Sequence, residues 1–112
     1  MNAEEIKKQL QEIFGKQLIF NKDFDIYAKE LKENMQENLV EWCRQLKDRE
    51  IRPLQSKTKK EVFVFVKRIG STNRCIVLKI VNDDFKEIHL ADHDYYNHIM
   101  KNLGLKKSSN QF

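Results

Sequence analysis

The stretch Val62-Phe63-Val64-Phe65-Val66-Lys67-Arg68-Ile69-Gly70-Ser71-Thr72-Asn73-Arg74-Cys75-Ile76-Val77-Leu78-Lys79-Ile80 decides the fold. Every position from Val62 to Val66 is β-branched or aromatic, which suits a strand apolar on both faces. Gly70 to Asn73 is a turn signal, and Arg74 to Val81 returns as a second buried strand. Asn82-Asp83-Asp84 turns the chain again, and Phe85 to Ala91 reads as a third strand. Strands joined by such short turns pair antiparallel.

Working outward from this meander, the periodicity changes to that of helices. Upstream, Asn2 and Glu5 have the spacing of a capping box, and Ile6, Leu10, Ile13 and Phe14 fall on one helical face. Gly15 closes that helix. The apolar run Gln17-Leu18-Ile19-Phe20 predicts a short strand. Asn21 or Asp23 then caps a helix with Phe24, Tyr27, Ala28 and Leu31 on its inner face. Asn34 interrupts, and Met35, Leu39, Trp42, Cys43 and Leu46 restart the stripe through about Arg49, so two short helices form a hairpin. Glu50 to Lys60, with Pro53 inside it, reads as a polar loop. Downstream, Asp92 or Asp94 caps a last helix that turns one of Tyr95 and Tyr96 inward with Ile99, Met100 and Leu103, and Gly104 stops it. The order α, β, α, α, β, β, β, α predicts an α+β fold: one small antiparallel meander sheet covered by helices. Residues 1–112 then make a single domain, with an additional helix at 1–16, a core at 17–104 and a frayed tail at 105–112.

Composition bounds the function. The chain has 112 residues, of which 40% are hydrophobic and 34% charged, with three glycines and one proline. That excludes a disordered chain, a collagen and a disulfide scaffold. The net charge is +4, unevenly spread: residues 1–50 carry 9 basic and 11 acidic groups, residues 51–112 carry 12 and 6. A basic C-terminal half points to a polyanion, most commonly nucleic acid. The start MNAEEIKKQL lacks the basic and apolar regions of a signal peptide, and no run approaches the roughly 18 apolar residues of a membrane span. Cys43 and Cys75 lie far apart, each in an apolar pattern, which suits buried reduced thiols better than the alternative of a disulfide. His and Cys are scattered without metal-ligand spacing. These features predict a cytoplasmic protein without metal or other cofactor.

Two constellations could carry chemistry. At the hairpin, a four-residue loop from Gly70 to Asn73 sets Ile69 opposite Arg74 and Lys67 opposite Ile76, so that Lys67 and Arg74 share a face; a shift by one pairs Arg68 with Arg74 instead. Either register brings two cations to one end of the sheet, suited to neutralising phosphate and, for Arg74, to stabilising a phosphorane. Lys79 and the loop cations Lys57, Lys59 and Lys60 extend the basic surface. The second constellation is Asp92-His93-Asp94-Tyr95-Tyr96, flanked by His89 and His98. Imidazole can serve as general acid or base near neutral pH, and a tyrosine can stack on a base. The bland alternatives are hairpin cations that keep an edge soluble, a histidine beside a helix start, and a tyrosine that simply packs.

Leu18-Ile19-Phe20-Asn21-Lys22-Asp23-Phe24 leading into a helical hairpin, Arg74-Cys75-Ile76-Val77-Leu78-Lys79-Ile80 before an acidic turn, and His89-Leu90-Ala91-Asp92-His93-Asp94-Tyr95-Tyr96 together resemble the RelE/ParE-like toxin superfamily over residues 17–103. The resemblance implies a toxin of a toxin–antitoxin pair, held inactive by a cognate acidic antitoxin. It implies a hydrolase of the RelE-like kind: a ribosome-dependent, metal-independent endoribonuclease that inhibits translation by cutting mRNA through 2′-hydroxyl attack. Carried over by position, Arg74, Lys67, His93 and Tyr96 would be catalytic, with Arg68, Lys57, Lys59, Lys60, Lys79 and Tyr95 on RNA. The family's arginine before the terminal tyrosine is replaced by Asp92 or His93. That departure supports the alternative of a non-enzymatic ParE-like or nucleic-acid-binding module.

Overall fold

The computed structural model describes residues 1–48, 53–55, 58, 61–70, 72–80 and 84–105. The elements in chain order are α1 (Ala3–Phe14), β1 (Ile19–Phe20), α2 (Phe24–Glu30), α3 (Glu33–Lys47), β2 (Leu54–Gln55), β3 (Val62–Ile69), β4 (Asn73–Ile80), β5 (Phe85–Ala91) and α4 (His93–Asn102). The fold is α+β. Its sheet runs β1-β5-β4-β3-β2, and the three long strands are the expected antiparallel meander.

The sheet as a whole is not a simple meander, which corrects the purely antiparallel expectation. β1 lies parallel to β5, with Ile19 opposite Glu87 and Phe20 opposite Ile88, so the sheet is mixed. The expected hairpin of α2 and α3 is not what forms: both helices pack mainly on α1, and the chain from α2 through β4 makes the long connection that a parallel pairing needs. β2, inside the stretch read as a loop, pairs Leu54 with Val64 and Gln55 with Phe63. Asn21 prolongs β1 with its side chain: its amide Nδ2 donates to the Leu90 carbonyl at 2.9 Å, and its Oδ1 accepts from the Leu90 N–H at 2.9 Å. That engagement is why Asn21 does not cap α2. Asp23 holds the N-cap position without a side-chain cap.

Both faces of the meander are covered, which explains strands apolar at every position. Ile6, Leu10 and Phe14 of α1 join Phe24, Ala28, Leu39, Trp42, Cys43 and Leu46 against Phe65, Ile69, Cys75, Val77, Ile88 and Leu90. The opposite face holds Val62, Val64 and Ile76 under Tyr96, Met100 and Leu103. The Asn2–Glu5 capping box forms, and Gly15 ends α1 at φ +112°, a conformation open to glycine. α4 begins on Asp92, whose carboxylate accepts from the Tyr95 N–H at 2.9 Å. It ends in a Schellman turn: Leu105 N–H reaches the Met100 carbonyl and Gly104 N–H the Lys101 carbonyl.

The turn after β3 is three residues, not four. Arg68 lies opposite Arg74, Ile69 opposite Asn73 and Lys67 opposite Cys75. Of the two registers open to the sequence, the structure has the one that pairs the arginines. Lys67 thereby shares the pleat of Phe65 and Ile69, on the face that α1, α2 and α3 cover. Among the described residues, no helix is long and apolar enough to cross a membrane.

Candidate functional site

Strand alternation gathers the site. On the face that carries α4, consecutive rows across β3, β4 and β5 read Arg68–Arg74–Ala91, Val66–Ile76–His89 and Val64–Leu78–Glu87. Arg68 and Arg74 are therefore direct cross-strand neighbours, and like charges in that relation disfavour the pairing. The Arg74 guanidinium lies over the Tyr96 ring, 5.7 Å from its centroid, and its Nη1 donates to the Asn73 carbonyl at 3.1 Å. The ring braces the cation, and its quadrupole favours the charge.

Of the two tyrosines, Tyr96 is the inward one at 4% exposure, and Tyr95 is exposed. Burial pushes the Tyr96 phenol above its ordinary range, while Arg74 pulls it down. Tyr96 therefore meets Arg74 as a packed partner. His93 is exposed on the first turn of α4, its ring centroid 6.3 Å from that of Tyr96 and its Nδ1 3.3 Å from the Asn97 amide. Asp92 is occupied: one carboxylate oxygen caps α4 and the other accepts from the Tyr27 hydroxyl at 3.2 Å.

The remaining predicted residues scatter. Lys67 stands across from Cys75 on the other face, where its ammonium draws the buried thiol down against the stronger upward push of burial. Lys79 lies over the Phe85 ring at 5.4 Å, also away from Arg74. Lys57, Lys59 and Lys60 fall outside the described residues. The structure thus brings Arg68, Arg74, Tyr96 and His93 together and separates Lys67 and Lys79 from them.

His89, named from the sequence only as a flank of the second constellation, and Glu87, not singled out there, also join the site. His89 accepts or donates toward the Tyr95 hydroxyl through Nδ1 at 3.1 Å, and its Nε2 is 3.0 Å from Glu87 Oε1. The available signal was the Glu87-x-His89 spacing on a strand, which puts both side chains on one face. Among the described residues, no three His, Cys, Asp or Glu side chains converge as metal ligands. The chain matches no protein-family model, and it matches neither a curated protein nor a solved structure.

Proposed function

We propose that the chain is a RelE-like, ribosome-directed mRNA endoribonuclease of a toxin–antitoxin pair, acting without a metal, with Arg68 and Arg74 as its phosphate cradle. The observation that carries this reading is the cross-strand arginine pair, one member of which is braced by Tyr96. Cross-strand register sets the two arginines at one end of the sheet, and charge-assisted hydrogen bonds from both would hold an anion bound there. A backbone phosphate is such an anion, and the charge that grows on a phosphorane is a stronger one. Two consecutive helices, a covered three-strand meander and a last helix follow in the order that the resemblance implies, which supports this reading.

Expression of the chain without an antitoxin arrests growth and leaves truncated transcripts, and Arg74→Ala relieves both effects. Harmless expression with intact transcripts would sink the proposal. A second reading, a ParE-like or nucleic-acid-binding module that cuts nothing, is favoured by one observation: Lys67 lies across the sheet from Arg74. In that case Arg74→Ala lowers affinity for single-stranded RNA and flattens its salt dependence by about 0.7 in log–log slope, with no cleavage to lose.

A further inference from the structure

A chain of polar groups runs beside the arginine pair. Glu87 and His89 alternate onto one face of β5, and His89 sits opposite Ile76, one pair along from Arg74 and diagonal to it. Glu87 Oε1 meets His89 Nε2 at 3.0 Å, and His89 Nδ1 meets the Tyr95 hydroxyl at 3.1 Å. An ionised carboxylate only accepts, so Nε2 carries the hydrogen toward Glu87. When the ring is neutral, Nδ1 is then the acceptor and the Tyr95 hydroxyl donates to it. The His89 side chain is 13% exposed, whereas Tyr95 is 37% exposed, so the series leads from a sheltered imidazole to a phenol open to solvent.

Carboxylate, imidazole and hydroxyl in this order form the relay in which the acid fixes the ring's tautomer and stabilises the imidazolium. We propose that Tyr95 is a catalytic residue that takes the proton of the attacking 2′-hydroxyl while its own proton passes to His89, with Glu87 as the positioning residue. The inference rests on the endoribonuclease reading. The 2′-oxygen bonds to the adjacent phosphorus, and the bond from phosphorus to the 5′-oxygen breaks. The departing 5′-oxygen takes a proton from water, and the imidazolium later returns its proton to solvent. The products are a 2′,3′-cyclic phosphate and a 5′-hydroxyl. Burial, then the charges of Glu87 and Asp23, hold the Tyr95 phenol above its ordinary range, so it rests protonated and hands on a proton only as it receives one.

The test is single-turnover cleavage of mRNA on programmed ribosomes by the full chain. Tyr95→Phe keeps the ring and its exposure, so RNA affinity stays within about twofold while the cleavage rate falls on the order of 100-fold. Glu87→Gln retains an acceptor for Nε2 and recovers part of the rate that Glu87→Ala loses. Imidazole nitrogen spectra of the wild type show His89 as the Nε2–H tautomer, and Glu87→Ala mixes the tautomers. If Tyr95→Phe cuts at the wild-type rate while Arg74→Ala does not cut, the relay is overturned and the endoribonuclease reading stands. An Nδ1–H tautomer for His89 in the wild type overturns the relay as well. Wild-type protein that leaves ribosome-bound mRNA whole overturns both.

Discussion

Gln36 is the buried polar side chain among the described residues, at 4% exposure. Its Nε2 donates to the Ala28 carbonyl at 3.1 Å, and its Oε1 accepts from the Met1 ammonium at 3.0 Å. One amide thus ties the end of α2 and the start of α1 to α3. Gln36→Ala leaves that carbonyl and the ammonium without this partner and should cost about 1–3 kcal/mol, seen as a lower urea midpoint at unchanged slope. An unchanged midpoint would remove Gln36 from the account of stability. At this scale the sequence was legible where periodicity speaks: Asn2, Gly15, Trp42 and Gly104 hold the places their types predict. It was ambiguous where one residue of register decides. Both Lys67 and Arg68 could have joined Arg74, and only the length of the turn chose Arg68.

Among elements, α4 has the most to do with the site, since it carries Tyr95 and Tyr96 over β4 and β5. Ten residues form a marginal helix by themselves, so its cap and its buried face hold it. Asp92→Ala removes the cap on the Tyr95 N–H and the partner of the Tyr27 hydroxyl, and should cost about 1–2 kcal/mol. Thermal denaturation checks the size of the loss, and helix-specific amide exchange shows whether it falls on α4. Loss confined to α1 would contradict this assignment. β4 and β5 were legible within a residue and β3 in its start, though it runs on past Val66 to Ile69, because β-branched runs between turn residues have few other solutions. β1 forms inside the expected run 17–20, whereas the two residues of β2 carry too little pattern to be read. The parallel pairing of β1 with β5 joins residues far apart in the chain, which no local pattern encodes.

At the scale of the whole molecule, the titrating groups that burial perturbs among the described residues all point one way. Desolvation raises Tyr27, Tyr95 and Tyr96 above the ordinary phenol range, and burial with Cys43 beside it raises Cys75 well above the ordinary thiol range. A folded-state pKa above the unfolded one stabilises below the unfolded value and fails as pH rises through the folded value. With unfolded thiols near about 8.5 and phenols near about 10, stability should be level through neutrality and fall above about pH 9. Urea midpoints at neutral pH and on the alkaline side decide this, and a midpoint that rises with alkali would refute it. The charge asymmetry visible in the sequence forecast a basic face, but the acidic partner of His89 comes from the same basic half. Counting charges by segment cannot see which side of a strand each one takes.

β4 lies in the middle of the sheet, with a strand on each side and helices over both faces. Its amides should be the last in the molecule to exchange with solvent. Arg74 rides on that strand, whereas Tyr95 rides on a short helix at the periphery. The two halves of the site therefore keep different time: the cation holds its station for as long as the molecule is folded, and the phenol comes and goes with the opening of α4.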